Sequence, residues 1–126
     1  MGKENKKEKE MKKIIKVGFK KKRINLAVED CNAFRKFSGL MFSRREKARI
    51  LLFSFKKKQS IAIHSFFVFY PFVAIWLDKK NKITELKVVK PFNPYVSSKK
   101  LAFKLVEIPI NNKNKKILSF LCVTRR

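Results

Sequence analysis

Three side chains in this sequence could take part in acid–base chemistry: His64, which is the sole histidine, and the carboxylates of Asp78 and Glu107. Histidine titrates near neutral pH, and a histidine that is hydrogen-bonded to a carboxylate is a common general base. Neither acid lies close to His64 in the sequence. An enzyme that used His64 with Asp78 or Glu107 would therefore need a fold that brings them together in a cleft.

Each of these residues also has a structural interpretation. His64 could be a hydrogen-bonded residue at the start of a strand, and Asp78 heads the segment DKKNK, which is typical of a turn. Glu107 lies among apolar neighbours in VEIP, where a buried carboxylate needs a cationic or backbone donor. Arg35 is the partner we expect for Glu107, so an ion pair is favoured over catalysis.

Cofactor and metal motifs are absent from the sequence. Its three glycines are too far apart to form a glycine-rich phosphate-binding loop. Two cysteines, Cys31 and Cys122, and one histidine cannot supply four zinc ligands without carboxylates, and no CxxC spacing occurs. We therefore predict no cofactor and no metal, and we expect both cysteines to be small buried or half-buried residues.

The charge balance predicts an affinity for polyanions. Lysine and arginine total 33 against 9 acidic residues, which gives a formal net charge of +24. Such a field attracts RNA, DNA or an acidic membrane surface. Only seven of the cations are arginines, however, and abundant Lys, Asn, Ile and Phe are also expected from A+T-rich codons. A lysine-dominated surface favours diffuse over base-specific recognition.

The N-terminus carries charge rather than a targeting signal. Residues 1–13 hold six lysines and three glutamates and contain no apolar stretch of the secretory type. We predict a disordered basic tail over residues 1–13, a single domain over residues 14–126 and a cytoplasmic location, where both thiols would stay reduced.

Short apolar runs separated by turn signals predict a mostly β fold. They indicate a compact antiparallel β-sandwich or barrel of about eight short strands. Helical spacing of apolar residues predicts one short helix around residues 31–37, followed by a loop that carries Gly39, Leu40 and Met41. The predicted strands cover residues 14–17, 24–28, 50–55, 61–70, 72–77, 82–90, 101–109 and 117–123.

The block IHSFFVFYPFVAIWLD (63–78) is the most apolar part of the chain. A transmembrane helix needs about 20 apolar residues, but the generous count from Ile61 to Leu77 gives 17 and includes Pro71. β-branched and aromatic residues dominate the block, and a proline separates two strands better than it fits within one. We therefore predict two core strands and no membrane span.

Several segments, taken in order, resemble an uncharacterised family known as domain of unknown function 192. They are RKFSGLMFSRR (35–45), LLFSF (51–55), HSFFVFYPFVAIWLD (64–78), VVKPF (88–92) and LVEIP (105–109). The resemblance covers residues 14–123. Within the family, this chain looks like a small cytosolic, archaeal-type branch. In combination, Arg-x-x-x-Gly-Leu-Met, Pro-x-x-x-x-Trp-Leu-Asp and Val-Glu-Ile-Pro are specific, although each is weak alone. The sequence departs from the family where Phe72 and Val73 follow Pro71 in place of Leu-Asp.

The resemblance implies a sandwich-like barrel with a short helix near the Gly-Leu-Met loop, and it brings no established enzymatic activity. The residues that match its motifs are the candidates for a shared site or scaffold: Arg35, Gly39, Leu40, Met41, His64, Pro71, Asp78 and Glu107. Gly39 fits a position that needs a positive φ or a close backbone approach. We expect Leu40 and Met41 to plug the mouth of the barrel, with an apolar lip for a partner as the alternative.

Three functions are consistent with the sequence. The first is a non-enzymatic binding or accessory module whose Gly-Leu-Met loop and aromatic block form a pocket or a partner surface. The second is electrostatic binding to RNA, DNA or ribosomal surfaces. The third is a small enzyme using His64 with Asp78 or Glu107. The oligomeric state does not follow from the sequence.

Overall fold

Alternation of apolar and polar residues gives this chain its strands, as in KKIIKVGF and KRINLAVED. The structure is a computed structural model that describes residues 12–31 and 39–123. The strands are β1 (Lys12–Phe19), β2 (Lys22–Asp30), β3 (Leu51–Gln59), β4 (Ala62–Ile63), β5 (Phe72–Leu77), β6 (Ile83–Val89), β7 (Val96–Ser97) and β8 (Ala102–Pro109). A 3-10 turn (Asn112–Asn114) leads into helix α1 (Lys115–Phe120). The predicted mostly β fold is confirmed.

Six of the strands form one sheet in the order β1-β2-β3-β8-β5-β6, and β4 pairs with β7 in a second, small sheet. The large sheet curls into a half-barrel. Its two edge strands meet where Gly18 of β1 bridges Lys82, the residue before β6, and the Gly18 amide donates to the Asn81 carbonyl at 3.0 Å. The curl separates a concave inner face from a convex outer face.

One strand pair departs from the predicted antiparallel arrangement. Strands β2 and β3 run parallel, with Glu29 opposite Leu51 and Asp30 opposite Leu52. Parallel neighbours need a long crossover connection, and residues 31–50 supply one of 20 residues. That crossover contains the Gly-Leu-Met loop, so the topology carries this loop over the sheet.

Buried side chains form two layers, one on each face of the large sheet. The apolar core of the inner layer takes alternate residues from β1, β2, β3, β5 and β8, among them Val17, Leu26, Leu52, Ile75 and Val106. The outer layer holds the intervening residues of β3, β5 and β8, such as Leu51, Trp76 and Leu105, and is covered by the loops around Leu40 and Val68.

The aromatic block divides at Pro71, as predicted, but its two halves differ. All six residues of β5 (Phe72–Leu77) are buried, as expected of a core strand. The predicted strand 61–70 is wrong beyond β4, because residues 64–70 form turns that cross the outer face. Over the described part of the chain, no helix has the length and apolar character needed to cross a bilayer.

The predicted strand over residues 117–123 is also wrong, because this segment forms α1 instead. The side chain of Asn111 accepts a hydrogen bond from the Asn114 amide at 3.1 Å and starts the 3-10 turn. Leu118 and Leu121, three residues apart, then share one helical face and pack into the inner layer. A short apolar run fits a strand and a buried helix equally well, and tertiary packing decides between them here.

Two predictions fall largely on residues outside the described part of the chain. The predicted helix around 31–37 lies there except for Cys31, and so does most of the predicted tail, although β1 already begins at Lys12. Of the two cysteines, Cys31 is buried as expected. Cys122 is exposed, contrary to that expectation, and it follows α1 with a positive φ of 61°.

Candidate functional site

Glu107 lies at the centre of the outer layer. It belongs to β8, opposite Leu51 of β3 and Ala74 of β5, and it is 5% exposed. Its neighbours Val106 and Ile108 point to the inner layer, so the alternation of β8 directs the Glu107 carboxyl outward, beneath the loops. The sheet thus holds one carboxyl group in apolar surroundings.

The Gly-Leu-Met loop passes directly over this carboxyl group. Gly39 has a φ of +50°, and a β-carbon at that position would lie 3.3 Å from Oε1 of Glu107. Both predicted reasons for a glycine, a positive φ and a close approach, are therefore confirmed. Leu40 is buried in the outer layer and Met41 packs against it, so they cover the outer face rather than plug the barrel.

A pair of hydroxyl groups fastens this loop to the aromatic block. The Ser43 hydroxyl lies 2.6 Å from the Leu40 carbonyl, to which it donates, and 2.5 Å from the Tyr70 hydroxyl. Because the single Ser43 proton is used on Leu40, Tyr70 is the donor in the second bond. The loop and residue 70 are thereby held in one arrangement above Glu107.

Burial perturbs the two acids of this cluster. Desolvation raises the pKa of Glu107 to about 8, so that its carboxyl group is mostly protonated at pH 7. Burial also raises the pKa of Tyr70, and the nearby Glu107 charge adds to that shift while the hydrogen bond with Ser43 opposes it. Within residues 12–31 and 39–123 no group hydrogen-bonds to or pairs with the Glu107 carboxyl. The predicted partner Arg35 lies outside those residues.

Four phenylalanine rings cover the solvent side of the same loops. Phe42 stacks on Phe67 at 5.0 Å between ring centroids, and Phe92 meets Phe67 and Phe69 edge-on at 6.1 and 5.2 Å. All four are exposed, by 44 to 68%. We call these residues, Phe42, Phe67, Phe69 and Phe92, the aromatic surface.

Ser65 holds the aromatic surface together from below. It is fully buried, and its hydroxyl donates to the Lys90 carbonyl and accepts from the Asn93 amide, both at 2.6 Å. Its backbone carbonyl accepts from the amides of Phe92 and Val68 at 2.9 and 3.1 Å. One residue therefore ties the loop that presents Phe67 and Phe69 to the turn that presents Phe92.

The other described site residues, His64, Asp78 and Pro71, lie outside the strands. His64 is exposed, and its Nδ1 accepts from the Phe66 amide at 3.1 Å. Asp78 is a turn residue, as predicted, and its Oδ1 accepts from the amides of Lys80 and Lys82. It follows Ala74, the residue opposite Glu107, by four positions, or about 13 Å along the strand. Pro71 is half-buried, and its carbonyl accepts from the Ile110 amide at 3.2 Å.

A groove of about 640 Å³ lies at the seam where β1 meets β6. It runs between the β1–β2 hairpin and the turn that joins β5 to β6, and its lining includes Gly18, Phe19 and Ile83. The other lining residues are all cationic: Lys16, Lys20, Lys21, Lys22, Arg23, Lys80 and Lys82. We call this the basic groove.

Sequence reasoning missed the hydroxyl groups and the exposed rings. Ser43, Ser65 and Tyr70 were not among the candidate site residues, and their importance comes from contacts between segments 25 or more residues apart. Like these residues, Phe42 and Phe92 lie in segments that carried the family resemblance. Their exposure was not predicted, since aromatic residues are ordinarily core residues.

Comparison with known proteins reveals the fold and no family. No protein-family model matches the sequence, and no curated protein matches it. A solved structure of a protein of unknown function from Novosphingobium aromaticivorans is similar, with a TM-score of 0.68 and 12% identity over 84% of this chain and 78% of that one. A "putative transcription regulator" from Sinorhizobium meliloti is similar with a TM-score of 0.69 and 17% identity, over 90% of this chain and 88% of the other. At these identities the likeness extends to the fold alone.

Proposed function

We propose that this protein is a non-enzymatic binding module, and that the aromatic surface docks a partner protein. The observation that carries the proposal is the group of four exposed phenylalanine rings in mutual contact. Aromatic side chains are enriched at the cores of protein interfaces, where they contribute much of the binding energy. A contiguous exposed aromatic patch on a small domain is typical of an interaction site.

The backbone beneath the rings supports the proposal. Phe42, Phe67 and Phe92 have φ values of 61°, 61° and 58°, a region that bulky residues rarely occupy. Each such residue costs on the order of 1–3 kcal/mol, and glycine or asparagine would relieve the strain. Three strained phenylalanines in one surface indicate that the rings serve something other than stability.

Charge defines the chemistry of the partner. The chain carries a net charge of +24, and Arg44 and Lys90, which are close in sequence to Phe42 and Phe92, are exposed. Oppositely charged surfaces associate faster and more specifically. The partner should therefore present apolar side chains within an acidic surface.

The test selects peptides from a displayed random library on the intact protein and measures their affinity by calorimetry. Selected peptides should combine Leu, Phe or Trp with Asp or Glu. Phe67→Asn should weaken their binding about tenfold or more, the effect of losing a central aromatic anchor. Because asparagine tolerates a positive φ, this variant should be at least as stable as the parent.

Leu101→Asn is the matched control, because Leu101 is 50% exposed and Phe67 46%, and Leu101 lies outside the aromatic surface. Its affinity for the selected peptides should equal that of the parent. Equal binding by Phe67→Asn and the parent would overturn the proposal. So would a failure to enrich peptides, or binding that occurs only to vesicles of phosphatidylcholine and phosphatidylglycerol.

Membership of the domain of unknown function 192 family is a second part of the proposal. The contact between Gly39 and Glu107 supports it, because it joins the Gly-Leu-Met and Val-Glu-Ile-Pro elements in space. A structure of a family member whose matching glycine and glutamate lie far apart would contradict it.

Electrostatic binding of RNA or DNA is the second candidate function. The basic groove favours it, because cations form seven of its ten lining residues. Affinity for a nucleic acid should then fall steeply as salt rises, since phosphate contacts release counterions. An absence of binding at low salt would eliminate this candidate and leave the aromatic surface unaffected.

A further inference from the structure

We propose that the basic groove is a binding site for the phosphate backbone of single-stranded nucleic acid, read without regard to base sequence. The proposal rests on the second candidate function and gives it a location. It is independent of the aromatic surface. The argument depends on the backbone of the two turns that form the groove, on its charge and on its size.

The β1–β2 hairpin uses unfavourable residues at its tip. Lys20 and Lys21 connect the strands through a two-residue turn with φ values of 51° and 67°. Both central residues of such a turn need a positive φ, for which Asn-Gly is the favoured pair. A+T-rich codons do not explain the lysines, because asparagine codons are equally rich in A and T. The two lysines therefore make the turn less stable than Asn-Gly would, and they place two cations at the groove.

The opposite wall of the groove is rigid. The carboxylate of Asp78 accepts from the amides of Lys80 and Lys82 at 2.8 and 2.9 Å, and Asn81 takes a positive φ of 65°. The Asn81 carbonyl accepts from the Gly18 amide at 3.0 Å, which joins this turn to β1. Cations from two separate hairpins are thus held on both sides of one cleft before any ligand arrives.

The lining of the groove matches phosphate groups. No acidic residue is among its ten lining residues in the described part of the chain, so its cations face one another without a carboxylate between them. Lysines are compact point charges that bind phosphate oxygens, and they outnumber arginine six to one here. Base-specific readout depends largely on bidentate arginine or amide groups, which are scarce in this lining.

The size of the groove selects a single strand. A volume of about 640 Å³ is that of a small-molecule pocket, which can take a few linked nucleotides but not a duplex. Positively charged grooves that follow one backbone are the usual site of sequence-independent single-strand binding. Phe19, with Lys20 Nζ placed 5.2 Å from its ring centroid, adds an aromatic group to the lining.

The experiment compares two double variants that each remove two lysines. Lys20→Asn with Lys21→Gly replaces the strained turn by its favoured pair. Lys56→Gln with Lys57→Gln removes the same charge from exposed positions of β3 outside the groove. Affinities for fluorescent 12-nucleotide oligo(U) and oligo(dT) are measured by anisotropy across a range of salt concentrations, with a duplex of the same length and inorganic polyphosphate as competitors.

The hairpin variant should bind both oligonucleotides more weakly. Loss of two phosphate contacts lowers the salt slope by about 1.4, so raising salt from about 50 to 200 mM should weaken this variant about sevenfold less than the parent. Its midpoint of thermal unfolding should rise by about 4 °C or more, which separates lost binding from lost structure. The β3 variant should keep the affinity and the salt slope of the parent.

Each other outcome overturns the proposal in a recognisable way. Equal effects of the two double variants would mean that the protein attracts nucleic acid through its overall charge. The groove would then be rejected as a specific site, while polyanion binding would still stand. Stronger competition by the duplex or by polyphosphate than by the unlabelled single strand would assign the groove to another ligand. An absence of binding to either oligonucleotide at low salt would rule out both the groove as a binding site and the second candidate function.

Discussion

The two faces of the large sheet bury different chemistry. The inner layer is built from apolar side chains of five strands and of the segment of α1. The outer layer packs strands against loops and encloses the carboxyl group of Glu107 and the hydroxyl groups of Tyr70 and Ser65. The inner face therefore stabilises the fold with little specific chemistry. The outer face buries polar groups at some cost in stability, and these groups fix the positions of the loops that cover it.

This difference separates folding from candidate function within a single sheet. Alternate residues of β8 serve the two purposes: Val106 and Ile108 face inward, and Glu107 faces the loops. Substitutions on the inner face should act on stability alone. Substitutions on the outer face should also change pH dependence or the presentation of the aromatic surface. The predictions below test this separation, from the largest expected effect to the smallest.

Ile75→Ala should cause the largest loss. Ile75 is fully buried in the inner layer, and truncating such a side chain removes apolar burial and leaves a cavity. The free energy of unfolding should fall by about 4 kcal/mol, as measured by urea denaturation. The control Val88→Ala, at a half-exposed residue of β6, should lose less than about 1 kcal/mol. Similar losses for both variants would show that burial in the inner layer does not determine the stability of the fold.

Glu107→Gln should stabilise the protein at neutral pH. The Glu107 pKa rises from about 4.5 in the unfolded chain to about 8 in the folded protein. Between these values the folded protein retains a proton that the unfolded chain releases, so stability falls as pH rises from about 4.5 to 8. The slope is at most about 1.4 kcal/mol per pH unit, or about 3 kcal/mol in total at pH 7.

The measurement for Glu107 is urea denaturation of parent and variant at a series of pH values. Glutamine keeps the shape of the side chain and cannot ionise, so the difference between the two curves should grow up to pH 8 and then level off. A variant that is less stable than the parent at pH 7 would contradict this prediction. That result would support the predicted ion pair between Glu107 and Arg35.

Ser65→Ala should cost about 2 kcal/mol, because the Asn93 amide and the Lys90 carbonyl each lose their partner in a partly buried place. Unlike the inner-layer variant, it should also loosen the turn that carries Phe92, and so weaken peptide binding to the aromatic surface. Denaturation and peptide affinity are measured on the same sample. A loss of stability with unchanged peptide affinity would show that Ser65 serves the fold only.

Tyr70→Phe should have the smallest effect, a loss of about 1 kcal/mol. The variant removes one hydroxyl group that donates to Ser43 and keeps the buried ring. Amide exchange of residues 40–43 should quicken relative to the parent, because the loop loses its attachment to residue 70. Unchanged exchange in this loop would mean that the hydroxyl pair does not hold it.

The inner layer could be predicted in part from the sequence, since period-2 alternation in β1 and β2 directly shows which residues face a common core. Confirmed on this basis are the mostly β fold, the division of the aromatic block at Pro71, the turn at Asp78 and the reasons for glycine at position 39. Each depends on a local property of the chain: periodicity, proline geometry or turn chemistry.

The outer layer was harder to predict because it depends on contacts between distant segments. Residues 64–70 are as apolar as a strand, yet hydrogen bonds from Ser65 to residues 90 and 93 hold them as turns. The helix over 115–120 likewise replaced a predicted strand, because the buried Asn111 and Asn114 redirect the chain after β8. The apolar neighbours of Glu107 in VEIP did indicate that it is buried, but the exposure of Phe42 and Phe92 has no local signal.

The seam between β1 and β6 has a consequence for motion. The β1–β2 hairpin is joined to the rest of the sheet by two residue pairs with β3 and by the bridge between Gly18 and Lys82. Such a unit can open as a whole at a smaller free-energy cost than the central strands. Amides of the hairpin should therefore exchange with deuterium before those of β5 and β8. A ligand that spans the basic groove would hold the hairpin in place and slow that exchange. Binding in the groove should therefore be measurable as slower amide exchange of the hairpin.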